Sequence, residues 1–441
     1  MCKETRLLAL LGLALLTGLL AACGQDGPAP VTGVTVIEVW AHAGQAAERD
    51  TLQQQVEDYN RQQTGVQVRL TFIPERSYNA QVQAAAIAGD LPDVLEFDGP
   101  FLYNYVWQGH LIPLEPLLAS DLQADLLQSI KAQGTWHNHL YGIGTFDSGL
   151  GLFARRSLLQ QAGMTDLPRH PKDAWSVTQF NALLNTLATR DPDGAVLDLK
   201  FNYPDEWFTY AFSPLLQSAG GDLINRKDYQ SARDVLNGPV AVSAMQSLQT
   251  WINNGQVDQN VDDAAFTSGR VALSWAGHWE YQRYQEAWGD DLVLLPLPDF
   301  GTGSRTGQGS WVWGVTRYCE QPRVAADFLE YLLQPGQVLA MTNANGAVPA
   351  TATAIEQSAL YREDGPLHLF AVQLNEGYAV PRPQTPAYPV ISNAFRRAFA
   401  DIRNQDDAKA ALDRAVQVID QDIRDNRGYP FTAAQDQGGT D

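Results

Sequence analysis

The sequence predicts an α/β protein built as two domains, and three observations carry that prediction. From residue 34 to residue 97, strand-like and helix-like stretches alternate at the spacing of a parallel sheet with helical crossovers. At 441 residues the chain is long enough for two domains, each burying its own core. The later segments repeat the mixed pattern and close on an amphipathic helix, with no internal repeat and no low-complexity block between.

Val34 to Trp40 is rich in β-branched residues behind Gly33 and reads as a first strand. Leu52, Val56 and Tyr59 then mark one face of a helix that Asn60 to Gly65 ends. Val66, Val68, Leu70 and Phe72 alternate as a second strand, and Tyr78 to Ala88 fits a helix stopped by Gly89. Val94 to Phe97 is a third, short strand. In such sheets ligands sit beyond the carboxyl ends of the strands, which points at Trp40 to Gln45, Pro74 to Tyr78 and Phe97 to Tyr103. Leu412, Val416, Ile419 and Ile423 define the last helix, and residues 431–441 read as a disordered tail.

The first residues bear on location. Lys3 and Arg6 precede the uncharged run Leu7 to Leu20, which is too short to span a bilayer but suits a signal-peptide core. The run ends Leu20-Ala21-Ala22-Cys23, which resembles the bacterial lipobox. That resemblance implies removal of residues 1–22, a diacylglyceryl group on the Cys23 thiol, and an extracytoplasmic protein anchored to the membrane by lipid. An ordinary secretory signal with a chance cysteine is the alternative. Residues 23–33, with Gly24, Gly27, Pro28, Pro30 and Gly33, read as a flexible tether.

The formal charge is -20, and loss of Lys3, Arg6 and Glu4 with the leader deepens it by one. Phosphate backbones repel so acidic a chain, which argues against nucleic-acid binding. Cys2 also leaves with the leader and the lipid would occupy the Cys23 thiol, so no intramolecular disulfide is expected in the mature chain, and Cys319 reads as a small buried apolar residue.

Short motifs in a fixed order extend the reading. They are Gly89-Asp90-Leu91-Pro92-Asp93-Val94, Gly109-His110-Leu111-Ile112-Pro113-Leu114, and Tyr141-Gly142-Ile143 leading to Leu152-Phe153. Phe266 to Leu273 with Gly277-His278-Trp279, Gly309 to Val315, Ala325 to Leu329 and Gly346 to Ala350 follow. Together these resemble, over nearly the whole mature chain, the family of extracellular solute-binding proteins that includes maltose-binding protein. His278 stands where the family has proline, and Phe153-Ala154 where it has Tyr-Asn.

The resemblance implies a periplasmic-binding-protein-like (type II) fold: two α/β lobes, a ligand cleft between them and several hinge crossings. Lobe one is expected at 34–145 and 298–347, lobe two at 148–294 and 352–430. It further implies no enzyme and no cofactor, but the monomeric binding component of an ABC importer. Such a receptor closes on a mono- or oligosaccharide and delivers it to a transmembrane permease. An amine or peptide ligand in the same role, or a glycosidase using two carboxylates such as Asp98 and Asp147, is the alternative.

A sugar presents hydroxyls at its rim and an apolar C–H face, so its site wants flat aromatics beside hydrogen-bonding side chains. The resemblance places Trp279 as the aromatic that stacks on a sugar ring, and Trp207 as a second stacking residue. Trp311 and Trp313 share a face if strand-like, with Trp311 preferred for the cleft. Trp40 ends the first strand, where core and cleft are equally open. Asp147 follows Phe146 at the first crossing, where the family's maltose binder places a sugar-binding glutamate. Phe97 and Asp98 lie at the end of the third strand, His42 and Gln45 after the first, and Arg382 matches a late family arginine whose planar fork of donors reaches the cleft. Tyr78 and Glu75 are weaker candidates. His137-Asn138-His139 puts two imidazoles on one strand face without a third ligand, so no metal site is expected.

Overall fold

The computed structural model describes residues 33–431; the leader, Cys23, nearly all of the tether and the tail beyond Phe431 lie outside them. In chain order the strands are β1 Thr35–His42, β2 Val66–Ile73, β3 Val94–Asp98, β4 Thr135–Trp136, β5 His139–Leu140, β6 Phe146–Asp147 and β7 Leu150–Arg155. They continue with β8 Leu197–Asp198, β9 Leu273–Gly277, β10 Leu292–Leu295, β11 Thr306–Gln308, β12 Trp311–Val315, β13 Val348–Pro349 and β14 Ala379–Pro381.

The first sheet has the order β12-β3-β1-β2. β1 runs parallel to β2 and β3, and β12 closes the edge antiparallel to β3. The helices Ala46–Gln62 and Glu75–Ala88 make the crossovers that parallel strands require. The second ends where glycine suits it: Gly89 takes φ 71°, and its N–H satisfies late helix carbonyls. Along β1, Ile37, Val39 and Ala41 face one core with Val68, Val94, Trp313 and Phe328. Each valine or isoleucine among them contributes about 1.5–3 kcal/mol on burial.

The second sheet has the order β10-β7-β9-β8 and its own core, in which Leu152, Leu273 and Trp275 meet Phe212, Phe395 and Ile419. Two sheets with separate cores make two lobes. A short ribbon lies where the chain crosses between them, β6 pairing antiparallel with β13, and a second ribbon pairs β11 parallel with β14. Residues 299–302, expected in the first lobe, hydrogen-bond to residues of the second core's side of the chain. The Asp299 N–H donates to the Trp175 carbonyl at 2.8 Å, and that of Thr302 to the Ser218 carbonyl at 2.9 Å.

The β4–β5 hairpin corrects a second expectation. His137 and Asn138 form its two-residue turn, with φ of 47° and 68°, instead of extending a strand. His137 stacks on Phe431, while His139 bonds the Glu115 carboxylate at 2.6 Å, so the two imidazoles do not converge. Among the described residues no group of His, Cys, Asp or Glu is placed to hold a metal, and no helix is long and apolar enough to cross a membrane.

Candidate ligand-binding cleft

The lobes face each other across a cleft of about 650 Å³, inside the roughly 300–1,000 Å³ range of small-molecule sites. The first-lobe wall comes from strand ends. β1 delivers His42, β3 delivers Asp98, and antiparallel β12 starts there with Trp311. Gln45 and Glu48 at the start of one helix, and Glu75 and Asn79 at the start of the next, complete it.

His42 lies flat on Trp311, with ring centres 3.7 Å apart and planes 2° apart. Its Nδ1 meets the buried Glu96 carboxylate at 2.7 Å, and its Nε2 lies 3.4 Å from Glu48. Burial alone would depress the imidazole, but the Glu96 and Glu48 carboxylates override it and lift the pKa from 6.5 to about 9. His42 is therefore an imidazolium at neutral pH, seated on an indole face.

The second-lobe wall is aromatic. Trp279 packs edge to face on Trp207 at 6.0 Å and tilts against Tyr203 and Tyr210. Gly277 permits this, because a Cβ there would lie 2.1 Å from the Trp279 ring. The Trp279 indole N–H donates to the Tyr203 hydroxyl at 3.0 Å. Trp207 is only 6% exposed and donates to the Leu199 carbonyl, so it reaches the cleft from a core position. The Gln45 amide donates to the Trp279 carbonyl at 3.2 Å, bringing the two walls into contact.

At the floor, Arg382 grips Asp98 with both arms, at 2.6 and 2.5 Å, and lies 3.2 Å from Glu206. Glu206 also accepts from Tyr388 at 2.5 Å and Ser392 at 2.6 Å. Burial first, then the charge of Asp98, pushes the Glu206 carboxyl up. The guanidinium thus links a first-lobe carboxylate to a second-lobe one, which leaves its Nε buried without a partner. The Ser310 hydroxyl and the Asn79 carbonyl oxygen, both from cleft-lining residues, are likewise unpartnered.

Of the residues expected from sequence, His42, Gln45, Asp98, Trp207, Trp279, Trp311 and Arg382 meet in this cleft. Three do not. Asp147 is fully buried: side chains alternate along a strand, so Phe146 and Ser148 take the cleft side and Asp147 the other. Its carboxylate accepts from Gln133 at 3.0 Å and from the Ser148 N–H at 2.8 Å, and burial raises its pKa despite those bonds. Phe97 is wholly buried against Tyr105, and Trp40 packs on the first-lobe core on the side away from Ile37 and Val39. Trp313 is core too.

Tyr203, Glu206, Tyr210, Ser310 and Glu96 escaped the sequence reading. Only Glu96 left a usable signal there, as a charge flanked by the apolar Leu95 and Phe97 in β3.

A family model for bacterial extracellular solute-binding proteins matches residues 54–367. The chain is similar to the maltodextrin-binding protein MdxE of Bacillus subtilis (strain 168), 22% identical over 422 residues, 92% of this chain and 95% of that protein. It is also similar to an uncharacterized lipoprotein of Streptomyces antibioticus, 24% identical over 80% of this chain and 78% of that one. Among solved structures, the GacH receptor of Streptomyces glaucescens, known unliganded and in complex with acarbose, superposes with a TM-score of 0.76. It is 20% identical, over 89% of this chain and 99% of its own. The Bdellovibrio bacteriovorus MalE domain bound to maltotriose gives 0.73 at 17% identity, covering 88% of this chain and 100% of its own. At such identities these structures establish the shared two-lobed fold.

Proposed function

We propose that this chain, which belongs to the bacterial extracellular solute-binding protein family, is the carbohydrate receptor of an ATP-driven importer and hands its ligand to a transmembrane permease. The observation that carries the carbohydrate reading is the make-up of one cleft. Flat aromatics, Trp279 and Trp311 foremost, stand beside polar atoms that no protein group satisfies, Ser310 Oγ, Asn79 Oδ1 and Arg382 Nε. A sugar supplies what both lack, an apolar face and a rim of hydroxyls.

Lobe one is assigned to 34–145 and to the chain from β12 to about 347, lobe two to 148–308 and 352–430, with contacts to both walls favouring the closed form. The receptor works as a monomer held to the extracytoplasmic face of a membrane through Cys23. The names of MdxE and of the maltotriose-bound relative support an α-glucan ligand.

Calorimetry of the mature protein with maltotriose, beside a thermal-shift screen of sugars and amines, tests the reading. Sugar binding that falls roughly thirtyfold or more in Trp279→Ala, about 2 kcal/mol, supports it. Binding of amines alone overturns it.

A further inference from the structure

We infer that Tyr203 is a positioning residue: its hydroxyl, fixed by a partly buried ion network, sets the orientation of the Trp279 ring that receives the ligand. The inference rests on Trp279 being that platform.

The hydroxyl works in two directions at once. It accepts from the Trp279 Nε1–H at 3.0 Å and donates to the Glu280 carboxylate. Glu280 is 1% exposed, and its other oxygen accepts from Arg283 at 2.7 Å. Lys200, also 1% exposed, lies 3.6 Å from Glu280 and donates to Asp263 at 2.6 Å. Arg283 reaches Asp263 as well, and Asp198 lies 3.6 Å from the Lys200 ammonium. Lys200 takes φ 54°, a conformation bulky residues rarely adopt, so this stretch of backbone is held by its surroundings.

The polarity of the chain follows from its end. The Trp279 indole can only donate to the Tyr203 oxygen, and the Glu280 carboxylate is set among donors, so the Tyr203 proton points at Glu280. Its oxygen then offers lone pairs to Trp279, whose indole can only donate. Burial, with the Glu280 charge next, holds the phenol well above 10, so this arrangement does not change near neutral pH. The aromatic wall is thus not set by apolar contact alone. An indole on edge-to-face contacts can rock, whereas one tied at Nε1 has a single preferred angle.

Tyr203→Phe removes the hydroxyl and keeps the ring. In ¹⁵N spectra of the full chain, the Trp279 indole N–H is assigned by its loss in Trp279→Phe. The Trp251 indole, bonded to Asn181 at 2.7 Å within the same lobe, reports whether the core stays intact. The expected result is a Trp279 indole that exchanges with water about tenfold faster in Tyr203→Phe while Trp251 keeps its rate. Maltotriose affinity should fall about three- to tenfold, the worth of one hydrogen bond.

Unchanged Trp279 exchange overturns the inference. If Tyr203→Phe disturbs Trp251 too, the wild-type protein decides: a Trp279 indole that already exchanges at the rate of a fully exposed one refutes the tie. Failure of wild-type protein to bind maltotriose counts against the carbohydrate reading, and the exchange rates still decide the role of Tyr203.

Discussion

Raising the pH should loosen this protein through His42. The imidazole is 6% exposed, and the carboxylates of Glu96 on β3, Glu48 on the first crossover helix and Glu75 on the second act on it together. Its folded pKa of about 9 lies above the ordinary 6.5. A raised histidine binds its proton more tightly in the folded chain, so the linked stability is complete below about pH 6.5 and disappears as the pH climbs through about 9. That difference corresponds to about 3 kcal/mol.

Loss of the proton also removes the cation from the Trp311 face and leaves Glu96 and Glu48 without their shared counter-charge. Urea unfolding between those two pH values is the assay, with His42→Gln as the control, because an amide spans the site without titrating. Wild-type protein should lose about 3 kcal/mol across the window, and His42→Gln much less. Parallel pH profiles for the two proteins, or a His42 ring resonance that titrates below pH 7, would refute the reasoning.

Three further outcomes follow from single side chains. Asp98→Asn strips one arm from the Arg382 fork; because Glu206 remains 3.2 Å away, the loss should be about 2–3 kcal/mol, below the roughly 3–5 kcal/mol of a fully orphaned buried charge. An unchanged urea midpoint would rule that out. Asp147→Asn should leave maltotriose affinity within about threefold, since its carboxylate is fully buried and bonded to protein groups, Gln133 and Ser148 among them; a tenfold loss would return Asp147 to the site. Cys23→Ser should move the protein from the membrane fraction to the soluble one, and an unaltered distribution would end the anchor proposal.

Much of the architecture could be read from periodicity because burial enforces it. The alternation at Val66, Val68, Leu70 and Phe72 and the Gly89 stop correspond to β2 and to the end of Glu75–Ala88. The rule that ligands lie past the strand ends points to His42 and Asp98, and both line the cleft. Their roles were not legible. Both side chains are tied to protein charges, His42 to Glu96 and Asp98 to Arg382, and those partners lie 54 and 284 residues away in sequence. Nothing local announces such pairs. Phe97 shows the opposite limit: one position before Asp98, it turns into the core because the strand alternates.

Asp147 shows most sharply where pattern reasoning stops. A two-residue strand has no periodicity of its own, so nothing in Phe146-Asp147 says which side chain meets the ligand. The partner strand decides: Val348 opposes Asp147 and Pro349 opposes Phe146, and this register turns the carboxylate toward Gln133 and the ring toward the cleft. One residue of slip would exchange them. A family position carried over by motif alone is therefore least secure at the crossings, where strands are shortest and both lobes pull on the register. It is firmer on a wall such as Trp279's, where Gly277 leaves the ring its space and Tyr203 holds its one donor.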